Sequence, residues 1–382
     1  MQKIKPIAIY LPQFHPTPEN DAWWGKGFTE WTNVTKAKPR FDGHYQPHLP
    51  ADLGFYDLRL EEARLAQEAM AKEYGIYGFC YYHYWFNGKR LLHEPLDRKL
   101  QNPKEDFPFM LCWANENWSR AWDGSENQVL LKQEYNADDD RAHIQHLLTY
   151  FKDDRYIKVD GKPIFAFYKP DLFPNMKQTI QIFREEAKKE NLELYLTWFE
   201  RWIGWEDINF TEIGFDAAIE FQPLSKSLKQ YLSQKNDIKY EIKLINNRIY
   251  VPNFIKKISK KILRKLFKKS LVKPIKKLER LISYENFVDF DLKREKVNYK
   301  IYPGVCPMWD NSSRRVNQEA TIFVDSTPEA FKKWYQGKID KFEPFSNSEN
   351  FIFINAWNEW AEGNHLEPCQ KWGTKYLQSL KL

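Results

Sequence analysis

Eight short apolar runs alternate with segments of helical periodicity, and this alternation constrains the fold of the 382-residue chain more than any other feature. Repeated βα units of this kind are typical of a mainly parallel sheet. The pattern predicts strands at 7–12, 76–85, 107–114, 162–169, 192–199, 215–221, 305–309 and 350–357. It predicts helices at 58–74, 138–152, 176–190 and 328–342, with Asp57, Asp138 and Thr327 as candidate N-caps. Eight such units predict an α/β fold, a (β/α)8 TIM barrel.

A long segment interrupts this pattern between the sixth and seventh predicted strands. We expect the first part of the barrel at 1–224, an insertion at 225–300, and the last strands with the carboxyl-terminal segment at 301–382. Residues 251–280 contain 12 Lys and Arg but a single acid, Glu279, so this stretch carries a charge of +11. The rest of the chain is net −5, although the formal charge of the whole is +6.

The basic insertion has the spacing of an amphipathic helix. Ile255, Ile258, Ile262 and Leu266 recur every three or four residues, with lysine pairs between them. Such a helix binds an anionic membrane surface, and we expect that contact through 255–282. The alternatives are a helix that packs its apolar stripe on the barrel and, less favoured, contact with nucleic acid. No nucleic-acid partner is expected for the chain as a whole.

Composition and motifs exclude several classes of protein. No window approaches the roughly 18–20 apolar residues that cross a bilayer. The amino terminus lacks the pattern of a secretory signal, so we expect a cytoplasmic protein, peripheral on the inner face of the membrane if the basic helix binds there. The widely spaced Cys80, Cys112, Cys306 and Cys369 are expected to be reduced thiols. The absence of zinc, Walker and dinucleotide motifs predicts no metal and no cofactor.

Aromatic residues are abundant, with 27 Phe, 21 Tyr and 15 Trp, and several lie in polar company where predicted strands end. The carboxyl ends of the strands form the mouth of a TIM barrel, where its sites gather. Aromatic faces beside hydrogen-bonding groups suit sugars. We therefore expect substrate-binding residues at this mouth: Tyr10, His83, Tyr84, Trp85, Asn115, Glu116, Trp118, Glu220, Trp309, Asp310, Asn358 and Trp360. Arg314 or Arg315 could bind an acidic sugar or a phosphate.

Two carboxylates stand three residues apart directly after the last predicted strand. Glu359 and Glu362 belong to the sequence NEWAEG, and a helical turn there would place both side chains on one side. Retaining glycosidases need two carboxyl groups about 5–5.5 Å apart. Like charges this close raise one pKa, so that one group is protonated while the other is ionised. Glu359 and Glu362 are therefore the candidate catalytic pair.

The sequence INAWNEWAEGNHLEP resembles the closing motif of glycoside hydrolase family 99 and 99-like proteins, including the WbsX-type proteins of bacterial surface-polysaccharide clusters. The segments IAIYLPQFHPTPENDAWWGKGFTEWTNV, YQPHLPADLGFYD, YGFCYYHYWFNGKRLL, PFMLCWANENWSRAWDG and VCPMWDNSSRR are similar to the WbsX-type pattern in the same order. The resemblance covers about 1–225 and 300–370 and leaves out the basic insertion.

The resemblance implies a (β/α)8 barrel and metal-free retaining chemistry on α-mannosides through a 1,2-anhydro sugar. It implies that Glu359 takes the proton from the sugar 2-hydroxyl and that Glu362 is the acid/base. The partner is then an oligosaccharide or polysaccharide, lipid-linked if the protein works in O-antigen or lipopolysaccharide metabolism. The WANENW segment departs from the corresponding segment of the hydrolases, and this difference indicates a different sugar subsite.

Three functions remain open from the sequence. The first is a glycoside hydrolase or transglycosidase that uses Glu359 and Glu362. The second is a glycosyltransferase that acts on a lipid-linked saccharide, and the third is a non-catalytic glycan-binding protein. Within the enzyme reading, Asn115-Glu116 resembles the acid/base pair of many barrel glycosidases, so that Glu116 with Glu359 is the alternative catalytic pair.

Overall fold

A computed structural model describes residues 4–120, 125–201, 210–234, 279–315 and 319–381. Its centre is a parallel barrel surrounded by helices. The strands are β1 (Lys5–Tyr10), β2 (Gly78–Phe86), β3 (Lys89–Leu91), β4 (Phe109–Trp113), β5 (Trp118–Arg120), β6 (Ser125–Leu131), β7 (Lys158–Val159), β8 (Lys162–Phe167), β9 (Tyr195–Glu200), β10 (Ala217–Glu220), β11 (Arg280–Ser283), β12 (Ile301–Tyr302), β13 (Gly304–Val305), β14 (Thr321–Val324), β15 (Phe351–Ile354), β16 (Asn358–Glu359) and β17 (Asn364–His365).

The barrel strands follow one another in chain order: β1, β2, β4, β8, β9, β10, β12 with β13, and β15. Pairing of β15 with β1, which sets Phe351 opposite Lys5, joins the last strand to the first. The predicted α/β TIM-barrel fold is therefore confirmed. Seven of its eight strand positions lie within a few residues of the predicted runs.

The seventh position differs from its prediction at 305–309, because the strand lies earlier and in two pieces. Pro303 separates β12 from β13 and has no N–H for a ladder bond. The first piece pairs with β10 and the second with β15. Gly304 is required there, since a Cβ atom would lie 2.0 Å from the carbonyl oxygen of Glu220. The split strand thus links the sixth and eighth positions and nearly closes the barrel.

Eleven helices of the described residues accompany these strands: α1 (Pro18–Trp24), α2 (Glu30–Thr35), α3 (Glu61–Glu73), α4 (Glu94–Gln101), α5 (Ala137–Phe151), α6 (Met176–Lys189), α7 (Phe210–Ile213), α8 (Lys226–Gln234), α9 (Tyr284–Asp291), α10 (Pro328–Lys341) and α11 (Lys375–Gln378). The four predicted helices correspond to α3, α5, α6 and α10. Thr327 caps α10 by accepting a hydrogen bond from Ala330 N, as predicted. The other two cap predictions are wrong, because Asn136 caps α5 and Leu60 precedes α3.

The described ends of the 225–300 segment pack against the barrel. Helix α8 contacts α9 through the rings of Tyr231 and Phe287, whose centroids lie 5.7 Å apart, and β11 pairs with β14. The basic helix is predicted at 255–282. Its residues 255–278 lie outside the part of the chain that the structure describes. No helix of the described ranges is both long enough and apolar enough to cross a membrane.

Buried histidines pack between the barrel and α5. His143 is fully buried, and its ring stacks on Trp85 with centroids 4.7 Å apart and planes 7° apart. Its Nε2 lies 2.9 Å from Nε2 of His83. Burial lowers the pKa of His83 to about 3 and that of His146 to about 4, and it lowers the pKa of His143 well below the ordinary value. These rings therefore stay neutral in the folded protein at neutral pH.

We expect His143→Asn to change how stability depends on pH. The unfolded chain gains a proton on His143 below about pH 6.5 and the folded chain does not, so the wild type loses stability on acidification. The loss amounts to ~1.4 kcal/mol per pH unit below that value. The variant lacks this loss, so the gap between its free energy of unfolding and that of the wild type narrows as pH falls. Urea unfolding at pH 7, 6 and 5 measures it, and parallel curves would contradict the prediction.

Candidate active site

The chain turns sharply after the last barrel strand and presents two carboxyl groups. β16 pairs with β17 in a short hairpin, and Trp360–Glu362 form one turn of 3₁₀ helix between them. Because a 3₁₀ helix has three residues per turn, Glu359 and Glu362 lie on the same side. Gly363 ends the turn at φ 56°, and a Cβ there would approach that of Asp310 to 2.9 Å. The glycine of NEWAEG is therefore required by the turn.

A cavity of about 310 Å³ lies at the carboxyl ends of the strands. Residues from all eight strand positions and their following loops line it: Leu11, Gln13, Tyr82, Tyr84, Ala114, Glu116, Asn117, Trp118, Ser119, Tyr168, Arg201, Phe221, Leu224, Trp309, Asn311, Arg314, Arg315, Glu359 and Glu362. The wall combines aromatic rings, three carboxylates and three arginines. Such a lining can stack a sugar ring and hydrogen-bond its hydroxyls.

One arginine binds both carboxyl groups of the pair. Nη2 of Arg314 lies 3.0 Å from Oε2 of Glu359, and Nη1 lies 2.8 Å from Oε1 of Glu362. A third acid, Glu30, places Oε1 2.5 Å from Nη2 of Arg314. Three carboxyl groups therefore share one guanidinium in a region largely closed to water.

This crowding controls protonation. Burial raises the pKa of Glu359 to about 8, and the charges of Glu362 and Glu30 add to the rise while Arg314 opposes it. Burial likewise raises the pKa of Glu362, with Glu30 again adding and Arg314 opposing. The two carboxyls titrate as a coupled pair. Such a pair can hold a proton on one carboxyl while the other is ionised, as general acid–base chemistry requires.

Glu30 was not among the residues predicted from the sequence. It is the first residue of α2 and fully buried, and the backbone N–H of Ala361 donates to its Oε1 over 3.3 Å. It thereby touches the same turn that carries the pair. Its one signal was its position in GFTEWTNV, a segment of the family resemblance that lies far from NEWAEG in sequence.

Further contacts brace the turn from behind. Trp360 Nε1 donates to Oε2 of Glu367 over 2.6 Å, and the hydroxyl of Tyr56 donates to the same oxygen over 2.8 Å. On the other side, Asp310 N donates to the carbonyl oxygen of Glu362 over 2.6 Å, and Gln46 Nε2 donates to Oδ2 of Asp310 over 2.6 Å. The backbone of the turn is thus fixed at both ends.

Eight of the residues predicted for the site line the cavity: Tyr84, Glu116, Trp118, Trp309, Arg314, Arg315, Glu359 and Glu362. Trp118 lies 5.2 Å from Tyr84 between ring centroids. Trp309 is buried, and its Nε1 has no hydrogen-bond partner among the described residues. These two tryptophans and Tyr84 form an aromatic wall beside the carboxyl pair.

His83 and Trp85, by contrast, do not reach the cavity. Successive side chains of a strand point to opposite faces, so Tyr82 and Tyr84 face the mouth while His83 and Trp85 face α5. Trp85 Nε1 donates to Oδ1 of Asp139 over 2.9 Å. Tyr10 is also turned away, because its hydroxyl donates to Oε1 of Gln67 over 2.7 Å.

Glu220 and Asn115, also predicted as substrate-binding, are occupied by the protein itself. Glu220 accepts hydrogen bonds from Lys338 Nζ and Arg294 Nη1, both at 2.7 Å. Asn115 exchanges two 2.7 Å hydrogen bonds with the backbone of Lys169.

Asn358, another predicted substrate-binding residue, is also hydrogen-bonded to the backbone of the protein. It accepts from Leu11 N over 2.7 Å and donates to Leu11 O over 3.0 Å. With Asp310 and Trp360, it lies behind the turn rather than in the cavity. These polar residues follow strands, as predicted substrate-binding residues do, but their hydrogen bonds hold the loops of the protein in place.

Glu116 lines the cavity but forms its ion pair with Lys169. Glu362 faces the cavity and shares Arg314 with Glu359. Of the two candidate pairs, this arrangement favours Glu359 with Glu362. All four cysteines are buried and free. Across the described part of the chain no group of three or more His, Cys, Asp or Glu side chains could hold a metal ion.

Comparison with solved structures identifies glycoside hydrolase-type proteins of similar fold. A "Glycoside hydrolase-like protein" aligns with a TM-score of 0.57 at 13% identity, covering 100% of this chain and 94% of that one. The GH99 endo-alpha-mannosidase from Bacteroides thetaiotaomicron aligns with a TM-score of 0.55 at 11% identity, covering 100% and 96%. At these identities the likeness shows a shared barrel fold.

In sequence, the chain is 38% identical over 377 residues to the uncharacterized protein WxcX of Xanthomonas campestris pv. campestris strain ATCC 33913. It is also 38% identical over 378 residues to WxcX of strain B100. The matches cover 98% of this chain and 49% of each relative, so the chain spans about half the length of these curated relatives. The family model described as "Glycosyltransferase WbsX" matches residues 6–380, and the chain therefore belongs to the WbsX family.

Proposed function

We propose that this chain is a glycan-processing enzyme that cleaves or transfers glycosidic bonds with retention, using Glu359 and Glu362 as its working pair. The observation that carries the proposal is the pair itself: two carboxyl groups on one guanidinium, with raised pKa values, at the mouth of a hydrolase-like barrel. Proton transfer to and from a sugar needs such a pair of groups in different protonation states.

In the first step Glu359 accepts the proton of the sugar 2-hydroxyl, and O2 attacks C1. The bond from C1 to the leaving oxygen breaks as Glu362 gives that oxygen its proton. In the second step the incoming hydroxyl attacks C1 of the 1,2-anhydro sugar and loses its proton to Glu362. The bond from C1 to O2 breaks, and O2 recovers its proton from Glu359. C1 is inverted twice, so its configuration is retained.

The surroundings of the two carboxyls support this division of labour. The Glu359 side chain is only 6% exposed, whereas that of Glu362 is 21% exposed. The acid/base must meet a leaving group and then an acceptor that enters from solvent, which suits the more exposed Glu362. Burial gives Glu359 the high proton affinity that a base for a hydroxyl needs. The reactive form is the one in which the single proton of the coupled pair lies on Glu362 and Glu359 is ionised. The aromatic wall of Tyr84, Trp118 and Trp309 would stack the sugar.

The family name favours a second candidate, transfer to a sugar acceptor. The same two steps serve it when a saccharide hydroxyl replaces water. We propose an oligosaccharide or polysaccharide substrate of α-mannoside type, and a place in bacterial surface-polysaccharide metabolism where it is lipid-linked. Cytoplasmic location belongs to this proposal, as does membrane contact through 255–282, of which only residues 279–282 are described.

We expect Glu359→Gln and Glu362→Gln each to lower product formation by roughly 10²–10⁴-fold, because each removes a proton-transfer group. The assay incubates the protein with α-mannosides and bacterial surface glycans, without nucleotide sugar, and identifies products by mass spectrometry. Glu343→Gln is the control, since that side chain is 84% exposed and pairs with Lys296 outside the cavity. Products that persist in both variants, or that need a nucleotide sugar, would refute the retaining mechanism.

The pH dependence of kcat/KM should report the coupled pair. The active form holds one proton, so the profile is bell-shaped, with an acidic limb above the ordinary glutamate pKa of 4.5 and an alkaline limb near pH 8. Glu30→Gln removes a negative charge that raises both pKa values, so both limbs move to lower pH. Kinetics from pH 4 to 10 measure this shift, and unchanged limbs in Glu30→Gln would show that Glu30 does not tune the pair.

A further inference from the structure

Arg201 lies where two cavities meet. It follows the fifth barrel strand, β9, and lines both the 310 Å³ cavity and a second cavity of about 260 Å³. Tyr168 is likewise shared by the two. Lys169 and Lys226 line the second cavity as well. The main cavity therefore continues into a second, more basic compartment on the side of the fourth and fifth strands.

Aromatic rings hold the guanidinium of Arg201 in place. Its Cζ lies 4.3 Å from the ring centroid of Tyr168 and 5.6 Å from that of Phe221. A guanidinium that stacks on a ring keeps its N–H groups directed outward in its plane. The stacking thus orients the donors without using them.

The acids that line these cavities are committed to other cations. Glu116 pairs with Lys169, Glu200 pairs with Arg294 at 2.5 Å, and Glu359 and Glu362 pair with Arg314. None of the described residues forms an ion pair with Arg201, and its Nε has no hydrogen-bond partner among them. Asp171, which lines the second cavity, is exposed.

Holding a guanidinium beside aromatic rings without a directly paired carboxylate costs free energy through desolvation. The charges of Glu116 and Asp171 act on Arg201 from a longer range and offset this cost, but neither forms an ion pair with it. A neutral side chain would fill the same space at less cost. The guanidinium fork matches carboxylate and phosphate oxygens geometrically, and it has five donors and no acceptor. A ligand anion would therefore supply the paired negative charge that the described residues do not place beside Arg201.

We propose that Arg201 binds an anionic group of the saccharide substrate, a sugar carboxylate or a phosphate, while the glycosidic bond lies at Glu359 and Glu362. The inference rests on the proposed function for the saccharide, and it adds the substrate class: an acidic or phosphorylated glycan. Arg201 follows the fifth strand and the pair follows the eighth, so the anion and the reacting bond occupy different walls of the cavity.

Matched sugars test the inference by binding rather than by turnover. Mannose, mannuronate and mannose 1-phosphate, and the same three forms of galactose, are titrated by ligand-observed NMR at constant ionic strength. We expect the wild type to bind at least one charged form about tenfold or more tightly than its neutral parent, as for a charge-assisted hydrogen bond. Preference for the uronates identifies a carboxylate, and preference for the 1-phosphates identifies a phosphate.

Arg201→Gln should reduce the affinity for the charged form to that for the neutral sugar, and Arg201→Lys should keep part of the preference. Arg98→Gln is the matched control, because that arginine lies exposed on α4. Circular dichroism verifies folding of each variant. Equal affinity for charged and neutral sugars, binding of none of the six, or a preference that survives in Arg201→Gln overturns the inference.

The two proposals fail separately. Cleavage of neutral glycans that depends on Glu362, with no preference for charged sugars, would leave the proposed function standing and remove the role of Arg201. Binding of charged sugars that depends on Arg201, without any Glu362-dependent product, would support the anion site and count against the glycosidase chemistry.

Discussion

The arrangement of the candidate site depends on Arg314, which binds Glu30, Glu359 and Glu362 at once. These acids come from α2 and from the turn after the last strand, so a single side chain ties the first and last parts of the barrel together. A single paired guanidinium cannot compensate three negative charges held this close, and the charge of Arg315 opposes the rise in the pKa of Glu362 without reversing it. Protonation of at least one carboxyl is the less costly solution, because removing like charges from water without compensation is expensive.

The hydrogen bonds that fix the turn also keep its carboxyl groups close together. Trp360 and Glu367 hold the turn on one side and Asp310 on the other, so the carboxyls cannot relax away from one another into solvent. Burial, and in addition the repulsion between these fixed charges, raises the proton affinity of Glu359 and Glu362. The hydrogen bonds behind the turn would thereby support the proposed proton transfers by Glu359 and Glu362, although the residues that make these bonds do not line the cavity.

Sequence reasoning succeeded where a feature is local and failed where it depends on the direction of a side chain or on distant partners. Alternating apolar runs located seven strands closely, since burial on both faces leaves a continuous hydrophobic signal. The residue after a strand was a good guide to the mouth, but alternation along β2 turned His83 and Trp85 outward while Tyr82 and Tyr84 turned inward.

Glu30 and Arg201 illustrate the second limit. Neither has a neighbour in sequence that marks its role. Glu30 meets Arg314, which is 284 positions away in the sequence, only in the folded chain. Asp310, Asn358 and Glu220 show the converse. They stand at strand ends as functional residues do, yet the carboxylates and amides of barrel loops also serve to hold those loops, and a sequence does not distinguish the two uses.

The family model carries the name of a glycosyltransferase, and one solved structure of the same fold is an endo-alpha-mannosidase. The proposed mechanism is compatible with both reactions. After the first step of the proposed mechanism, hydrolysis and transfer differ only in whether water or a sugar hydroxyl reaches C1. Glu362 would accept the proton in either case. In the proposed mechanism the shape and charge of the space beside the pair would select the acceptor, and that space adjoins a second cavity of about 260 Å³ at Arg201. A chain that keeps an acceptor there and limits water would act as a transferase with the machinery of a hydrolase.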